Sequence, residues 1–140
     1  MIRVTRRYRF AASHRLWAGG LSDDENRELY GKCSNPYGHG HDYVLDVSVR
    51  GPIDAASGTA VNLSMLDGLV RTHVVEVFDH RYLNEEVPTF ARVVPTTENL
   101  AHEVRSRLIE HWSGAFPDEW PKLDKVRIQE TKRNAFELSE

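Results

Sequence analysis

Two histidines separated by one glycine, His39 and His41, are the first candidates for chemistry in this sequence. They precede a segment with apolar residues at alternate positions, the period of a half-buried strand: Tyr43, Leu45, Val47 and Val49. Residues i and i+2 of a strand point the same way, about 6.5–7 Å apart, so both imidazoles share the apolar face. Together they can bind one metal ion at a Zn–N distance of about 2.0–2.1 Å. The alternative is a glycine-rich turn that happens to contain histidines.

A third histidine, His14, ends an earlier alternating segment over residues 2–14. The apolar residues of that segment share its parity: Ile2, Val4, Tyr8, Phe10 and Ala12. If the two segments are antiparallel neighbours, the end of one lies beside the start of the other, and His14 meets His39 and His41. Three histidines without a fourth protein ligand describe a catalytic zinc with one open position. Taken alone, His14 is better explained as a hydrogen-bonded histidine at a strand end, and only its position relative to His39 and His41 favours a metal ligand.

The single cysteine, Cys33, lies six residues before His39 in a loop rich in glycine, proline and asparagine. A nearby cation can lower the pKa of a cysteine from about 8.5 until thiolate forms at neutral pH. One cysteine excludes an internal disulfide framework. We therefore favour a reactive thiol, the alternative being a small inert residue in the core.

A carboxylate and a histidine, Asp79 and His80, follow directly after a predicted helix. Apolar residues recur at helical spacing from near Asn62 or Ser64 to about Phe78, in a stripe made of Leu66, Leu69, Val70, His73, Val74 and Val77. His80 could act as an acid or base that the carboxylate orients. Interaction with the helix dipole explains the same position.

The last candidate, Glu130, lies on the apolar face of a predicted strand over residues 123–131. A carboxylate there is costly unless it is paired or hydrogen-bonded. Its two oxygens match a pair of adjacent N–H donors on a ligand. A strand-end glutamate that reaches solvent is the alternative.

The elements that must position these residues predict an α+β fold. Two strands are followed by a possible short strand at residues 59–61, a helix, a second helix capped by Thr96 or Thr97, and two strands, the last over residues 134–138. An antiparallel sheet with two helices on one face accommodates this order. Its open edges and uncovered face indicate association into a larger barrel-like oligomer.

The connection between the first two strands is about two dozen residues long, which is typical of functional loops. It contains its own short helix, because Ser22 and Glu25 fit a capping box and Gly31 ends the segment.

Length and charge limit the remaining possibilities. The 140 residues predict one domain, 1–140. A formal net charge of -3 gives no global case for binding nucleic acid or an anionic membrane. No apolar run is long enough to span a bilayer and no signal peptide is visible, so we expect a cytoplasmic protein.

Several short segments occur in a fixed order over nearly the whole chain. They are FAASHRL at 10–16, LSDDEN at 21–26, GKCSNPYGHGH at 31–41, NL at 62–63, DH at 79–80, TTEN at 96–99 and ET at 130–131. With these segments the chain resembles the 6-pyruvoyl-tetrahydropterin synthase family. It departs from the family pattern at Ala11, where serine is frequent, and at Tyr37, where asparagine is frequent.

The resemblance implies the tunnelling fold (T-fold), an antiparallel four-stranded sheet with two helices on one face. Sheets of three subunits would close into a barrel, and two trimers would stack as a homohexamer. The resemblance implies three zinc ligands, His14, His39 and His41. It implies three catalytic residues, Cys33, Asp79 and His80. Glu130 would anchor the pterin ring, aided by Thr96 and Thr97 from a neighbouring subunit.

The implied activity is that of a zinc-dependent lyase. Its substrate would be 7,8-dihydroneopterin triphosphate, converted to 6-pyruvoyl-tetrahydropterin plus triphosphate. The alternative product is that of 6-carboxy-tetrahydropterin synthase in queuosine biosynthesis, although five residues between Cys33 and His39 favour the pyruvoyl-forming enzymes. Cations for the triphosphate would come from Arg15, Lys32 or arginines of the first strand, unless these only form a solvated face.

Two readings from other classes remain. A non-catalytic zinc scaffold would use Cys33 as a fourth ligand, because structural zinc sites are closed. Simple metal-assisted hydrolysis would explain the histidines but would give no role to Glu130 or to Asp79 and His80.

Overall fold

Two long antiparallel strands form the centre of the sheet in the computed structural model of this chain, which describes residues 1–139. The strands are β1 (Ile2–His14), β2 (His39–Gly51), β3 (Arg81–Tyr82), β4 (Lys122–Gln129) and β5 (Ala135–Ser139). The α-helices are α1 (Asp23–Tyr30), α2 (Leu63–Val70), α3 (Glu76–Phe78), α4 (Leu83–Glu86) and α5 (Thr97–Ala115). A π-helical turn, Arg71–Val75, joins α2 to α3, and 3₁₀ turns occur at Gly31–Ser34 and Pro88–Ala91.

The pairing of β1 with β2 sets the position of the candidate site. The two strands are antiparallel, with Ile2 opposite Gly51 and His14 opposite His39. The expected neighbourhood of the first two strands is therefore confirmed. In this register Ala12 faces His41, so the end of β1 and the start of β2 meet at one end of the sheet.

Over residues 1–139 the sheet has five strands in the order β3-β1-β2-β4-β5, so the expected count of four is wrong for this part of the chain. The additional strand, β3, contains only two residues and runs parallel to the end of β1. A segment this short has no alternation for sequence analysis to detect. The possible strand at residues 59–61 is not formed, because Thr59 closes a turn in which Asp54 N–H donates to its carbonyl.

One face of the sheet packs under α5 and the α2–α3 helix, which confirms the expected α+β arrangement. The buried apolar residues form one cluster that includes Leu45 and Val47 of β2 and Ile128 of β4. Burying such a side chain contributes about 1.5–3 kcal/mol. His14 is fully buried at the border of this cluster, which explains its shared parity with the apolar residues of β1.

The π-helical turn shifts the apolar stripe of the α2–α3 helix by one residue. A regular helix from Leu66 would bury Val77, as the sequence pattern predicts. The wider turn at Arg71–Val75 contains an extra residue, and Phe78 is fully buried in the place of Val77. The helix nevertheless ends at Phe78 as predicted, so Asp79 follows it directly.

Among residues 1–139, no helix has both the length and the apolar character needed to cross a lipid bilayer.

A side-chain clamp holds the segment that follows His14. Asn84 Oδ1 accepts a hydrogen bond from Arg15 N–H at 2.8 Å, and Asn84 Nδ2 donates to Arg15 O at 2.9 Å. The amide thus satisfies both main-chain groups of Arg15, as a paired strand would. Within the loop, the predicted capping box of Ser22 and Glu25 is confirmed at the start of α1.

The clamp gives a stability prediction. Asn84→Ala removes both hydrogen bonds and leaves main-chain groups of Arg15 without partners, which costs about 1–3 kcal/mol of unfolding free energy. Urea denaturation measures this loss, with Glu85→Ala as the control, since Glu85 is an exposed residue of the same helix. Equal stability of the two variants would contradict the clamp.

Candidate active site

Four side chains that can bind a metal converge at one end of the sheet. The ligand atoms of His14, Cys33, His41 and Glu130 all lie within 4.8 Å of one another. They come from the end of β1, the 3₁₀ turn at Gly31–Ser34, the start of β2 and the residue after β4. We call these four residues the donor cluster.

The hydrogen bond of His14 determines where its free nitrogen points. His14 Nδ1 lies 2.8 Å from the carbonyl oxygen of Pro95. A carbonyl can only accept, so Nδ1 carries the proton and Nε2 keeps its lone pair. Burial lowers the pKa of His14, which keeps the ring neutral, although the bond to Pro95 opposes this effect. A histidine held in this way is ready to bind a metal through Nε2.

The free nitrogen of His14 faces His41 rather than a hydrogen-bond acceptor. His41 Nε2 lies 3.1 Å from His14 Nε2 and 3.3 Å from Glu130 Oε1. Burial also lowers the pKa of His41, against the opposing charge of Glu130. Two nitrogens bound to one tetrahedral zinc at about 2.0–2.1 Å lie about 3.3 Å apart. The observed spacing of 3.1 Å therefore fits a divalent cation bound between the two nitrogens.

His39 lies beside this cluster without belonging to it. Its ring centroid is 4.8 Å from that of His41, and the residue is exposed at the start of β2. The structure thus brings two of the three predicted histidine ligands together, with His39 as their neighbour. Cys33 and Glu130 complete the group instead.

Cys33 is half-buried, and its carbonyl accepts a hydrogen bond from Leu16 N–H at 2.7 Å. That bond ties the cysteine loop to the segment after His14. Burial raises the pKa of the Cys33 thiol, and the charge of Glu130 raises it further. Without a cation the thiol is protonated at neutral pH, so the expected low pKa depends on a bound metal.

Glu130 is fixed by a contact within its own chain. Thr97 Oγ1 donates to Glu130 Oε2, and Thr97 is buried as the first residue of α5. The resemblance implied that Thr96 and Thr97 come from a neighbouring subunit. Within one chain, α5 begins against the end of β4, and Thr97 contacts Glu130 of the same chain. Thr96 has a different role as the N-cap of α5, where its hydroxyl accepts from Asn99 N–H at 3.2 Å.

Asp79 and His80 form a second arrangement at the edge of β1. Asp79 Oδ1 accepts from Ala11 N–H at 3.0 Å, and His80 N–H donates to Ala11 O at 2.6 Å. This pairing holds His80 at a φ of 59°, in the left-handed region. His80 Nδ1 lies 3.1 Å from Asp79 Oδ2, and the His80 side chain is 83% exposed. With Nδ1 on the carboxylate, Nε2 is free for proton transfer.

The catalytic set predicted from sequence is therefore divided between two places. His80 lines a cleft of about 530 Å³ with Ser13, Asp42, Arg81 and others, and this cleft reaches His41. His14, Cys33 and Glu130 do not line it. One chain thus presents Cys33 in the donor cluster, whereas His80, which contacts Asp79, lines a separate cleft.

Sequence analysis missed the groups that orient these side chains. The carbonyl of Pro95 has no sequence signal, because every residue carries one. Asn84 lies in a four-residue helix that shows no periodicity. The only available hint was an asparagine between two apolar segments, which is far more often a turn residue.

A mainly antiparallel sheet with helices on one face defines an α+β protein, and the donor cluster at one end of the sheet could hold a metal ion. A family model described as 6-pyruvoyl tetrahydropterin synthase matches residues 3–140. The chain belongs to this family, which confirms the resemblance.

Known proteins support this membership along most of the chain. The 6-pyruvoyl tetrahydrobiopterin synthase of Homo sapiens is 50% identical over 131 residues, which cover 94% of this chain and 86% of that protein. That of Poecilia reticulata is 44% identical over 131 residues, with 94% and 85% covered. The structure of Caenorhabditis elegans 6-pyruvoyl tetrahydropterin synthase matches with a TM-score of 0.88 at 37% identity, covering 99% of this chain and 95% of that one.

The Asp79 contacts give a pH prediction. The hydrogen bond from Ala11 N–H, with that from His80, lowers the pKa of Asp79. A lowered folded-state pKa means that the ionised carboxylate stabilises the fold above its unfolded pKa of about 3.9, and this contribution is lost as the pH falls through the folded value. Asp79→Asn should therefore be less stable than the wild type near neutral pH, and the difference should shrink below about pH 4.

Urea denaturation of both proteins between about pH 3.5 and pH 7 measures this difference. Asparagine keeps the shape of the side chain and one acceptor for Ala11 N–H. A stability difference that stays constant over the whole range would contradict the assignment of the shift to ionised Asp79.

Proposed function

We propose that this chain is a zinc-dependent lyase that converts 7,8-dihydroneopterin triphosphate to 6-pyruvoyl-tetrahydropterin and inorganic triphosphate. The observation that supports this proposal most directly is the convergence of His14 Nε2 and His41 Nε2, 3.1 Å apart, beside Cys33 and Glu130. Relatives at 44–50% identity named 6-pyruvoyl tetrahydrobiopterin synthase support the same activity. The reaction belongs to pterin synthesis of the tetrahydrobiopterin type.

Three histidines would hold the zinc: His14, His39 and His41. When bound, zinc supplies a Lewis acid that polarises a side-chain hydroxyl of the substrate and acidifies the neighbouring C–H bond. His39 is exposed beside His41, so its side chain has room to complete the set.

Cys33 would take a proton from a side-chain carbon of the substrate. This role requires thiolate, whereas burial and Glu130 raise the pKa of the free thiol. The positive charge of a divalent cation in the donor cluster opposes both effects. Proton removal is thereby tied to a loaded metal site.

Glu130 would anchor the pterin. Its carboxylate can accept from the amino group and the adjacent ring N–H of the pterin, a paired arrangement that fixes orientation as well as position. Thr97 holds this carboxylate from the same chain, while Thr96 caps α5 and keeps Thr97 in place. The anchored ring then directs its side chain toward His14 and His41.

Asp79 and His80 would perform the second proton transfer, with His80 as the acid or base and Asp79 orienting it. His80 lines a cleft to which Cys33 does not contribute. We therefore propose that His80 of one subunit acts on a substrate held at Cys33 of another. Strands β3 and β5 are the sheet edges through which three sheets could join into a barrel. Two such trimers would form the hexamer.

Product analysis tests the function and separates it from the closest alternative. Incubation of the zinc-loaded protein with 7,8-dihydroneopterin triphosphate should yield 6-pyruvoyl-tetrahydropterin and one triphosphate per turnover. Removal of zinc by a chelator should abolish turnover, and added zinc should restore it. Chromatography that shows the 6-carboxy product instead would assign the chain to the queuosine route.

Replacement of Cys33 tests the division between catalytic and structural zinc. Cys33→Ala should lower turnover by about 10²–10⁴-fold, the contribution typical of a positioned acid or base. Zinc stoichiometry and melting temperature should stay unchanged. Alkylation of Cys33 in the zinc-loaded wild type should likewise lower turnover without changing the zinc stoichiometry or the melting temperature.

Two outcomes would contradict this assignment. Undiminished turnover in Cys33→Ala would remove the thiol from the mechanism. Loss of zinc from that variant would make Cys33 a fourth ligand and the site a closed structural one.

A further inference from the structure

A cationic cleft of about 350 Å³ opens beside the donor cluster. Its basic lining residues are Arg15, Arg27 and Lys32, and His39 also lines it. No aspartate or glutamate of the described part of the chain, residues 1–139, lines this cleft. A chain with a formal net charge of -3 therefore has a locally positive depression next to its candidate metal site.

Arg15 is held in a fixed orientation in this cleft. Its guanidinium carbon lies 4.2 Å from the centre of the Trp17 ring, and its Nε donates to Ser34 O at 3.2 Å. Stacking and the Nε bond fix the plane of the group. Neither the two terminal nitrogens of Arg15 nor the amine of Lys32 has a carboxylate partner among residues 1–139. Arg27 differs, since it pairs with the exposed Asp24 at 3.2 Å.

The arginines of β1, which the sequence also offered for the triphosphate, are engaged elsewhere. Three of them face carboxylates, in the pairs Arg3–Asp124, Arg6–Asp67 and Arg7–Asp46. The fourth, Arg9, has the parity of the sheet face opposite to His14. Arg15 and Lys32 are therefore the cations beside the donor cluster that have no carboxylate partner within the described residues.

The cleft also lies where the leaving group of the proposed reaction, the triphosphate, would need to bind. His39 lines it, and the His39 and His41 ring centroids are 4.8 Å apart. In 7,8-dihydroneopterin triphosphate, only C3′ and the ester oxygen separate the hydroxyl-bearing C2′ from the first phosphorus. A side chain held at His14 and His41 must place its triphosphate within a few bonds of these residues.

We propose that the cleft between Arg15 and Lys32 binds the triphosphate group of the substrate, an inference that rests on the function proposed above. During elimination the proton on C2′ passes to one of the proposed bases, Cys33 or His80, and the C2′–H electron pair forms the C2′=C3′ bond. The C3′–O bond breaks at the same time, and its electron pair leaves on the triphosphate oxygen. The fixed guanidinium of Arg15 offers two parallel N–H donors to phosphate oxygens, and Lys32 adds a point charge. Both stabilise the charge that develops on the leaving group.

Calorimetric titration of the metal-free protein with inorganic triphosphate tests the cleft directly, because free triphosphate would otherwise chelate zinc. Arg15→Gln and Lys32→Gln should each weaken binding by roughly tenfold, the usual effect of losing a charge-assisted hydrogen bond. The control is Arg50→Gln. Arg50 also stacks over a tryptophan, Trp120 at 5.5 Å, but at the opposite end of β2. This control should bind triphosphate like the wild type.

Kinetics and a ligand without phosphates separate the two sources of triphosphate. In the zinc-loaded protein both cleft variants should raise the KM for the triphosphate substrate by roughly tenfold. They should leave the affinity for unphosphorylated 7,8-dihydroneopterin unchanged. Loss of free triphosphate binding with an unchanged KM would show that the cleft holds only the released product, and would overturn its role in substrate binding.

Further outcomes of the titrations also test the triphosphate inference. Equal triphosphate affinity in the wild type and both variants, equal weakening in Arg50→Gln, or no saturable binding by the wild type would each overturn the inference. If Arg15→Gln does not fold, Lys32→Gln decides, because Lys32 is exposed. Absence of turnover in the wild type would refute the proposed function, while a cleft that still bound triphosphate through Arg15 and Lys32 would stand as an anion site.

Discussion

The hydrogen bond between His14 Nδ1 and the carbonyl of Pro95 is the contact on which the candidate site depends. It fixes the tautomer of a fully buried imidazole and leaves one lone pair at Nε2. That lone pair faces His41 Nε2 at 3.1 Å. Two unprotonated nitrogens at this distance would repel each other unless one of them carried a proton or both bound a cation. The sheet therefore ends in a lone pair that either a proton on His41 Nε2 or a bound cation can satisfy.

The fold supplies this arrangement through strand register and two clamps. A shift of one residue between β1 and β2 would turn His41 to the opposite face of the sheet, away from His14. The buried apolar residues of both strands oppose such a shift, because the same movement would expose them. Asn84 holds the chain after His14, and Leu16 N–H holds the carbonyl of Cys33. Core packing and site geometry are thus determined by the same register.

Two regions with different electrostatic character lie on either side of His39: the donor cluster with Cys33 and Glu130, and the cationic cleft with Arg15 and Lys32. Burial and Glu130 keep the Cys33 thiol protonated until a cation is present. On the other side of His39, no carboxylate among residues 1–139 neutralises Arg15 or Lys32. A pterin that carries a triphosphate has a donor edge for Glu130 at one end and an anion for the cationic cleft at the other, with its reacting carbons between.

Local patterns predicted much of this structure because they reflect local physics. Alternation gave β1 and β2, and it put His14 and His41 on one face. The apolar stripe gave the end of the helix at Phe78 and hence the place of Asp79. Features that depend on distant contacts were not predictable: β3 exists only through pairing with β1, and a main-chain carbonyl such as that of Pro95 has no signature. Thr97 reaches Glu130 because α5 begins beside β4, which spacing along the chain does not encode.

X-ray absorption at the zinc edge of the zinc-loaded, substrate-free protein tests the central claim most directly. The account predicts that the atoms bound to zinc are nitrogen or oxygen at about 2.0–2.1 Å, with histidine imidazoles among them. A sulfur bound at about 2.3 Å would contradict it, since Cys33 would then close the metal site instead of facing a substrate.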